Sequence, residues 1–264
     1  MLSLLPLSLY LVAAILLARA SRSSPGVRSL PVIALASLGV LVHAIILFRA
    51  IETDHGLSIA ITDSASLVGF VVAASTLVGL ATMQLGALPS ALLILAGALA
   101  VGTGLVSGFQ QIHAPQWEIT AHITLAALAA GWMSIAAVVV LLLSWQDTRL
   151  RSRAPLGVLS LLPPVETMEI TLFRALTGGF IVLTFVLVTG LFFVTDVVAQ
   201  HLVHKMTLAI IAWLVFAVLL YGRYRFGWRG RKARKFTTVG FVILALAYFG
   251  SKFVLENMLG RHWG

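Results

Sequence analysis

Cysteine is absent from this 264-residue sequence, and charged residues make up only 10% of it. The lack of cysteine excludes disulfide bonds, thiolate catalysis and zinc or iron–sulfur sites with cysteine ligands. A soluble domain carries about 25% charged residues, whereas 60% of this chain is hydrophobic. The composition therefore excludes an ordinary soluble domain and indicates a membrane protein.

The apolar residues are gathered into long runs with few charges. A helix of about 20 residues crosses the ~30 Å hydrocarbon core of a bilayer. We therefore predict an all-α, polytopic membrane helix bundle with eight transmembrane helices, forming a single transmembrane domain over residues 1–264. The predicted spans are residues 2–19, 30–51, 65–86, 88–108, 119–145, 175–195, 206–222 and 237–259.

Positive charge is distributed unevenly between the two sides of this bundle. Fourteen of the eighteen Lys and Arg residues lie at or after the ends of spans one, five and seven. Because Lys and Arg accumulate in cytoplasmic loops, these loops are predicted to be cytoplasmic and both termini to lie outside. The net charge of +9 therefore reflects topology, and no nucleic-acid partner is predicted. The charges at the start follow the first apolar run, which predicts a retained helix and not a cleaved signal peptide.

Two segments on the predicted cytoplasmic side contact the bilayer in this interpretation. Residues 163–174 begin with Pro163-Pro164 and mix apolar with acidic residues, which predicts a short interfacial helix leading into span six. The turn "RYRFGWRGRKARK" (residues 223–235) interleaves aromatic and cationic residues. Such a run predicts contact with anionic headgroups, and docking of a protein partner is the alternative.

All seven histidines lie on the predicted outer side, and histidine is the commonest metal ligand among side chains. His43 shares a helix face with Ala36, Gly39 and Ala50, and His122 shares one with Ala126, Ala130 and Ser134. Small residues face neighbouring helices in lipid, so both imidazoles are predicted to face one outward-opening cavity. Polar side chains at that depth are functional candidates, although a hydrogen-bonded packing histidine is the alternative. His55, His113 and His201 have the alternative of being solvated loop residues.

The outer side lacks the close ligand pairs of a hydrolytic zinc site, such as HExxH. Haem iron needs only one or two axial imidazoles from different helices, and its large apolar ring suits a pocket within lipid. Its propionates would need cations near the outer rim, where Arg49, Lys205 and Lys252 are available. The residues therefore favour haem over a hydrolytic metal.

Four blocks of the sequence occur in a distinctive order: "AHITLAALAAGWMSIAAVVVLLLSWQDTRLR", "LPPVETMEITLFRALTGGFIVLTFVLVTGLFF", "HKMTLAIIAWLVFAVLLYGRYRFGWRGRKA" and "LAYFGSKFVLENMLG". Over about residues 115–260 the chain resembles the YpjD branch of the CcsA/CcmC-type cytochrome c assembly proteins. Its first four spans match that family mainly in pattern, including "LVHAIILFRAI".

The resemblance implies that histidines hold haem and present it for delivery to apocytochrome c outside. It maps onto His43, His122 and, more loosely, His262, while His204 falls in the loop before span seven. That loop carries a tryptophan-rich WWD signature in the full assembly proteins. Here it reads "FFVTDVVAQHLVHKMTLAIIAW" and has no WWD, which favours a role other than haem delivery.

The resulting expectation is a multi-pass inner-membrane protein that binds haem b non-covalently near the outer face. Its predicted partners are haem, the bilayer and a cytochrome c assembly or other membrane protein. No catalytic motif indicates an enzyme. A regulatory or scaffolding subunit is the first alternative, and a transporter of another small solute is the second. The candidate cofactor-binding residues are His43, His122, His204, His262, Arg49 and Lys205, with His122 and His43 as candidate axial ligands.

Overall fold

The computed structural model describes residues 2–23, 29–53, 56–58, 61–103, 111–112, 117–153, 155, 157–193 and 203–247. Within these residues the chain forms eight α-helices and one short 3-10 helix, η1. In chain order they are α1 (Leu4–Ser23), α2 (Leu30–Ile51), α3 (Ile61–Thr82), α4 (Leu88–Ala100), α5 (Trp117–Arg151), η1 (Gly157–Leu161), α6 (Val165–Phe193), α7 (Val203–Phe226) and α8 (Arg231–Ala245).

Six of these helices are long and apolar enough to cross a bilayer, namely α1, α2, α3, α5, α6 and α7. Helix α4 is apolar but has only 13 residues, and α8 has 15 residues and begins with the basic sequence "RKARK". The described residues therefore make this a helical, multi-pass membrane protein with six candidate spans. The predicted total of eight spans, and the outer location of both termini, stay predictions.

Helices α5 and α6 are longer than the spans predicted for them. With 35 residues and a rise of 1.5 Å per residue, α5 is roughly 52 Å long and exceeds the ~30 Å hydrocarbon core. Helix α6 starts directly after Pro163-Pro164, with Glu166 in its first turn, where the helix dipole favours an acidic side chain. The predicted interfacial helix is thus continuous with span six, and its position at the membrane surface stays a prediction.

A small antiparallel sheet connects the ends of the first helices and was not part of the all-α prediction. Its strands are β1 (Glu52–Thr53), β2 (Gly56–Ser58) and β3 (Gln111–Ile112), in the order β1-β2-β3. Glu52 pairs with Leu57, which in turn pairs with Ile112. Strands of two or three residues are too short to show the alternation by which a strand is recognised, so the sequence gives no signal for them.

The chain divides into two compact units. The first contains residues 1–115 and 141–168, and the second contains residues 116–140 and 169–264. Helix α5 contributes residues to both units. Whether the two units act as one transmembrane domain is a prediction that this division does not test.

Glycines allow helices of the first unit to approach closely. A Cβ at Gly97 on α4 would lie 3.2 Å from the Cα of Leu7, and one at Gly69 on α3 would lie 2.9 Å from the carbonyl oxygen of Ala96. Small residues serve this purpose in lipid, where helices associate through close packing and hydrogen bonds. Helix α4 is therefore packed nearly backbone to backbone against α1 and α3 at these points.

The second unit is packed through aromatic rings that lie against glycines. The indole of Trp132 on α5 occupies the space that a Cβ at Gly178 on α6 would take. Between α6 and α7, the rings of Phe180 and Trp213 stack with centroids 5.3 Å apart. The Nε1 of Trp213 also donates a hydrogen bond of 2.9 Å to Thr184. These contacts hold α5 against α6, and α6 against α7.

Candidate functional site

His43 lies within α2 and has no exposed surface. Its Nδ1 is 3.2 Å from the hydroxyl of Tyr10 on α1, and its Nε2 is 2.9 Å from the hydroxyl of Ser66 on α3. The Ser66 oxygen lies 2.6 Å from the hydroxyl of Thr103, which follows α4. One chain of hydrogen bonds therefore connects side chains from, or next to, all four helices at the start of the protein.

The directions of these hydrogen bonds follow from the number of protons. The Thr103 hydroxyl lies 2.7 Å from the carbonyl oxygen of Ala100, which can only accept. If Thr103 donates there, Ser66 donates to Thr103, His43 donates from Nε2 to Ser66, and Tyr10 donates to Nδ1. In this direction every proton has an acceptor. The reverse direction, from Thr103 through Ser66 and His43 to Tyr10, leaves the Tyr10 proton without an acceptor among the described residues, whereas the Ala100 carbonyl would still accept from the Thr103 backbone N–H.

Both ring nitrogens of His43 therefore already have hydrogen-bond partners. A neutral imidazole has one donor and one acceptor nitrogen, and here Tyr10 and Ser66 occupy both. The rings of Tyr10 and Phe70 also pack edge-on against it, with centroid distances of 5.9 and 5.8 Å. A metal ion could bind His43 only if one of these two hydrogen bonds were broken.

His122 has a different environment. It lies in the second turn of α5 and is half-buried, and its Nδ1 is 2.9 Å from the hydroxyl of Thr189 on α6. The Thr189 oxygen also lies 2.9 Å from the carbonyl oxygen of Phe185 and 3.1 Å from that of Val186. Within the described residues, this is the hydrogen bond that orients the imidazole.

The geometry at Thr189 favours one tautomer of His122. A hydroxyl has one proton, and the two backbone carbonyls of Phe185 and Val186 can only accept it. When that proton goes to one of these carbonyls, the Thr189 oxygen accepts from Nδ1–H of His122, and the lone pair is on Nε2. Histidines that bind metals commonly donate their other N–H to such a partner. This is the tautomer that a metal ligand at Nε2 needs.

Two neighbours shape the surroundings of this imidazole. A Cβ at Gly190 would lie 3.4 Å from Cε1 of His122, so the glycine leaves room beside the ring edge. Lys205 lies at the exposed start of α7. A predicted iron ligand and a predicted propionate partner therefore lie in the same compact unit.

The other predicted site residues are placed as follows. Arg49 is exposed near the end of α2. His204 belongs to α7, but its side chain lies outside the described part. His262 lies outside the described residues, as do His55, His113, His201 and Lys252. His43 belongs to the first unit and His122 to the second, so the pairing of the two on one iron stays a prediction.

Other metal sites find no support in the part of the chain that the structure covers, because no three His, Asp or Glu side chains cluster there. One cavity among the described residues lies near the start of α2, away from His43. Leu17, Ser21, Val32 and Leu80 contribute to its lining. The outward-opening cavity expected around the histidines remains untested.

Sequence reasoning missed the partners of both histidines. Tyr10, Ser66, Thr103 and Thr189 each carry a hydroxyl within or beside an apolar helix. The available signal was a polar group at membrane depth, since such a group needs a partner there. The pairing itself joins residues 23 to 67 positions apart, which no local pattern reveals.

The fold and these two histidines define a class: a multi-pass membrane protein with imidazoles held by hydroxyl groups inside its helices. Residues 31–259 match the cytochrome c assembly protein family, and the chain therefore belongs to that family. The resemblance found in the sequence is thereby confirmed.

Two kinds of relatives are similar to this chain. The inner membrane protein YpjD of Escherichia coli is 38% identical over 135 residues, which are 51% of this chain and 51% of that protein. The cytochrome c biogenesis protein CcsA of a Synechococcus strain is 33% identical over 97 residues, or 36% of this chain and 30% of that protein. The chain thus spans about half the length of the YpjD relatives that it matches, and less of CcsA. No solved structure matches it. The chain itself is a multi-pass membrane protein of the cytochrome c assembly protein family.

Proposed function

We propose that this protein is a haem-binding, haem-handling membrane protein related to cytochrome c assembly, and that His122 is its principal iron ligand. The observation that carries the proposal is the 2.9 Å hydrogen bond between Nδ1 of His122 and the hydroxyl of Thr189, which orients the ring and favours the tautomer with its lone pair on Nε2. Membership of the cytochrome c assembly family and similarity to CcsA support haem as the ligand.

The residues at this position fit such a group. Thr189 fixes the ring orientation of His122, as outer partners of metal-binding histidines do, and Gly190 leaves space beside the ring. Lys205 supplies a positive charge that would pair with a propionate. Bound haem supplies an iron centre whose electron transfer and ligand exchange the axial imidazole tunes. The chain itself binds, orients and shields that group.

The second axial position has three candidates. His204 and His262 belong to the predicted outer side, and His43 would have to give up its hydrogen bond to Tyr10 or to Ser66. We therefore place His43 after His122 as a ligand. Haem b bound without covalent attachment is the cofactor in this proposal, because no cysteine is present.

The test is the visible absorption spectrum of the full-length protein, purified in detergent after expression with ample haem. Wild type is expected to show a Soret band and sharp reduced α and β bands. His122→Ala is expected to lose haem while keeping its helical circular dichroism. Thr189→Val keeps the ligand but removes its orienting partner, and a weaker affinity of roughly 10- to 100-fold is expected.

Serine offers a matched control at the same position. Thr189→Ser keeps the hydroxyl that accepts from Nδ1–H and is expected to bind haem as wild type does. Full haem occupancy in His122→Ala, or a wild type that stays colourless and takes up no added haem, would refute the proposal.

A regulatory or scaffolding subunit is the second candidate function. The absence of WWD before α7 favours it, and so does the closed hydrogen-bond chain at His43, which serves packing without any cofactor. This candidate predicts a colourless protein whose partner is lost when its cytoplasmic surface is changed.

A further inference from the structure

The turn between α7 and α8, defined here as residues 221–236, carries a dense group of cations. Five of them are exposed: Arg225, Arg229, Arg231, Lys232 and Lys235. None of the five has a carboxylate partner among the residues that the structure describes. We propose that this α7–α8 turn is a binding surface for the phosphate groups of anionic phospholipid headgroups.

The turn has a defined shape. Gly227 and Gly230 adopt φ values of 64° and 59°, a region that glycine enters without steric penalty. The backbone N–H of Trp228 donates to the carbonyl oxygen of Gly222 at 3.1 Å. The indole ring of Trp228 then lies where a Cβ at Gly222 would be. The exposed cations therefore lie on a turn whose backbone conformation these glycines and this hydrogen bond define.

Two contacts with α6 hold this turn in place. The guanidinium of Arg223 lies 4.5 Å from the ring centroid of Phe173 and donates to the carbonyl oxygen of Trp228 at 3.3 Å. The backbone N–H of Gly230 donates to the carboxylate of Glu169 at 2.8 Å. This carboxylate beside the turn is thus bound to backbone. Arg225 lies 5.8 Å from the ring centroid of Phe226 and Lys232 lies 5.2 Å from that of Trp228, so the charges of these two cations still have no counter-anion among the described residues.

The lipid-facing side of α7 runs directly into the turn. Leu214, Val218, Tyr221 and Tyr224 follow each other at helical spacing and are 50%, 47%, 62% and 92% exposed. Aliphatic side chains give way to tyrosines, which are enriched at the level of headgroups, and then to Arg225. This sequence of side chains along one face places the cations against the membrane surface and not against a water-soluble partner.

Anionic lipid would also relieve a local charge conflict. Arg231, Lys232 and Lys235 occupy the first turns of α8, where the helix dipole is positive and disfavours cations. Basic residues near an anionic membrane surface each strengthen binding, by roughly fivefold per charge. The exposed cations together are therefore sufficient to distinguish anionic from zwitterionic lipid.

Native mass spectrometry of the full-length protein tests this inference, by titration with phosphatidylglycerol or phosphatidylcholine. Wild type is expected to prefer phosphatidylglycerol, and Arg229→Gln/Arg231→Gln is expected to lower that preference roughly 25-fold from the two charges removed. Arg229→Lys/Arg231→Lys retains both charges and is expected to retain the preference. Thermal unfolding in phosphatidylcholine checks that both variants are folded.

Arg149→Gln/Arg153→Gln is the matched control, because it removes two exposed charges from the end of α5 on the same predicted side of the membrane. It is expected to keep the preference for phosphatidylglycerol. An equal loss in this control would overturn the proposal in favour of general charge attraction. A wild type without any lipid preference, whose turn instead retains an acidic protein partner, would overturn it as well. Haem content plays no part in the readout, so the result is independent of the proposed function.

Discussion

The hydrogen-bond chain through His43 predicts how the first four helices respond to the loss of one hydroxyl. Tyr10→Phe removes the proton that Tyr10 donates to Nδ1 of His43 over 3.2 Å and leaves the ring volume nearly unchanged. Because His43 has no exposed surface, water cannot replace that donor. We expect Tyr10→Phe to destabilise the protein without altering its fold.

The magnitude follows from measured hydrogen bonds between membrane helices. These average about 0.6 kcal/mol, with a maximum of about 1.7 kcal/mol. A buried acceptor left without a donor costs about 1–3 kcal/mol. We therefore expect a loss of about 1–2 kcal/mol from Tyr10→Phe. His43→Ala should lose more, about 3 kcal/mol, because two hydrogen bonds and the packing of the ring disappear together.

A double-mutant cycle separates this hydrogen bond from the general effect of each change. Unfolding in increasing mole fractions of SDS, followed by tryptophan fluorescence, gives the free energy of unfolding for each variant. In the His43→Ala background, Tyr10→Phe should have no effect or restore some stability, because the Tyr10 hydroxyl no longer has its acceptor. A Tyr10→Phe loss of the same size in both backgrounds would refute the coupling.

Further predictions concern the second unit. Gly178→Ala should destabilise the second unit by about 1–3 kcal/mol, because the new Cβ meets the indole of Trp132. Gly190→Ala should be nearly neutral, because its Cβ would lie 3.4 Å from Cε1 of His122. The free energies of unfolding of both variants in SDS test this difference. Glu169→Ala should lose about 1 kcal/mol, because it removes the carboxylate that accepts the hydrogen bond from the Gly230 N–H just before α8. Glu169→Gln, which can still accept, should lose less. Equal stabilities of these two Glu169 variants would contradict that reasoning.

Helical periodicity located the buried face of α2 but was less accurate for α5. Ala36, Gly39, His43 and Ala50 were predicted to share an inward face. The first three are buried, and Ala50, near the end of the helix, is half-buried. On α5, Ala126 and Ala130 are only half-buried, while Ala127 and Ala129 are 1% and 2% exposed. Each step of four residues advances by 400°, or 40° beyond a full turn. A ladder built from such steps therefore drifts off the buried face.

Some features of the fold could not be read from a linear pattern. The sheet forms because a segment after α4 returns beside the α2–α3 connection, pairing Leu57 with Ile112 across 55 positions. The continuity of α6 was missed because acidic residues in its first turns resemble a surface helix. They are compatible with one unbroken helix, since the positive end of the helix dipole lies there.

The two intramembrane histidines show why residue type and depth do not identify a ligand. Both lie in the outer halves of predicted spans, and both contact hydroxyl groups. At His43 the hydroxyls lie on both nitrogens, so the ring completes a chain of donors and acceptors between helices. At His122, among the residues that the structure describes, one hydroxyl lies on Nδ1 and is itself within hydrogen-bond distance of two backbone carbonyls, an arrangement that favours a lone pair on the other nitrogen. The hydrogen-bond partners therefore distinguish the two histidines: His43 has a hydroxyl on each nitrogen and packs between helices, whereas His122 has a hydroxyl on Nδ1 and is the candidate ligand. We accordingly expect haem binding to depend on Thr189 and helix association to depend on Tyr10.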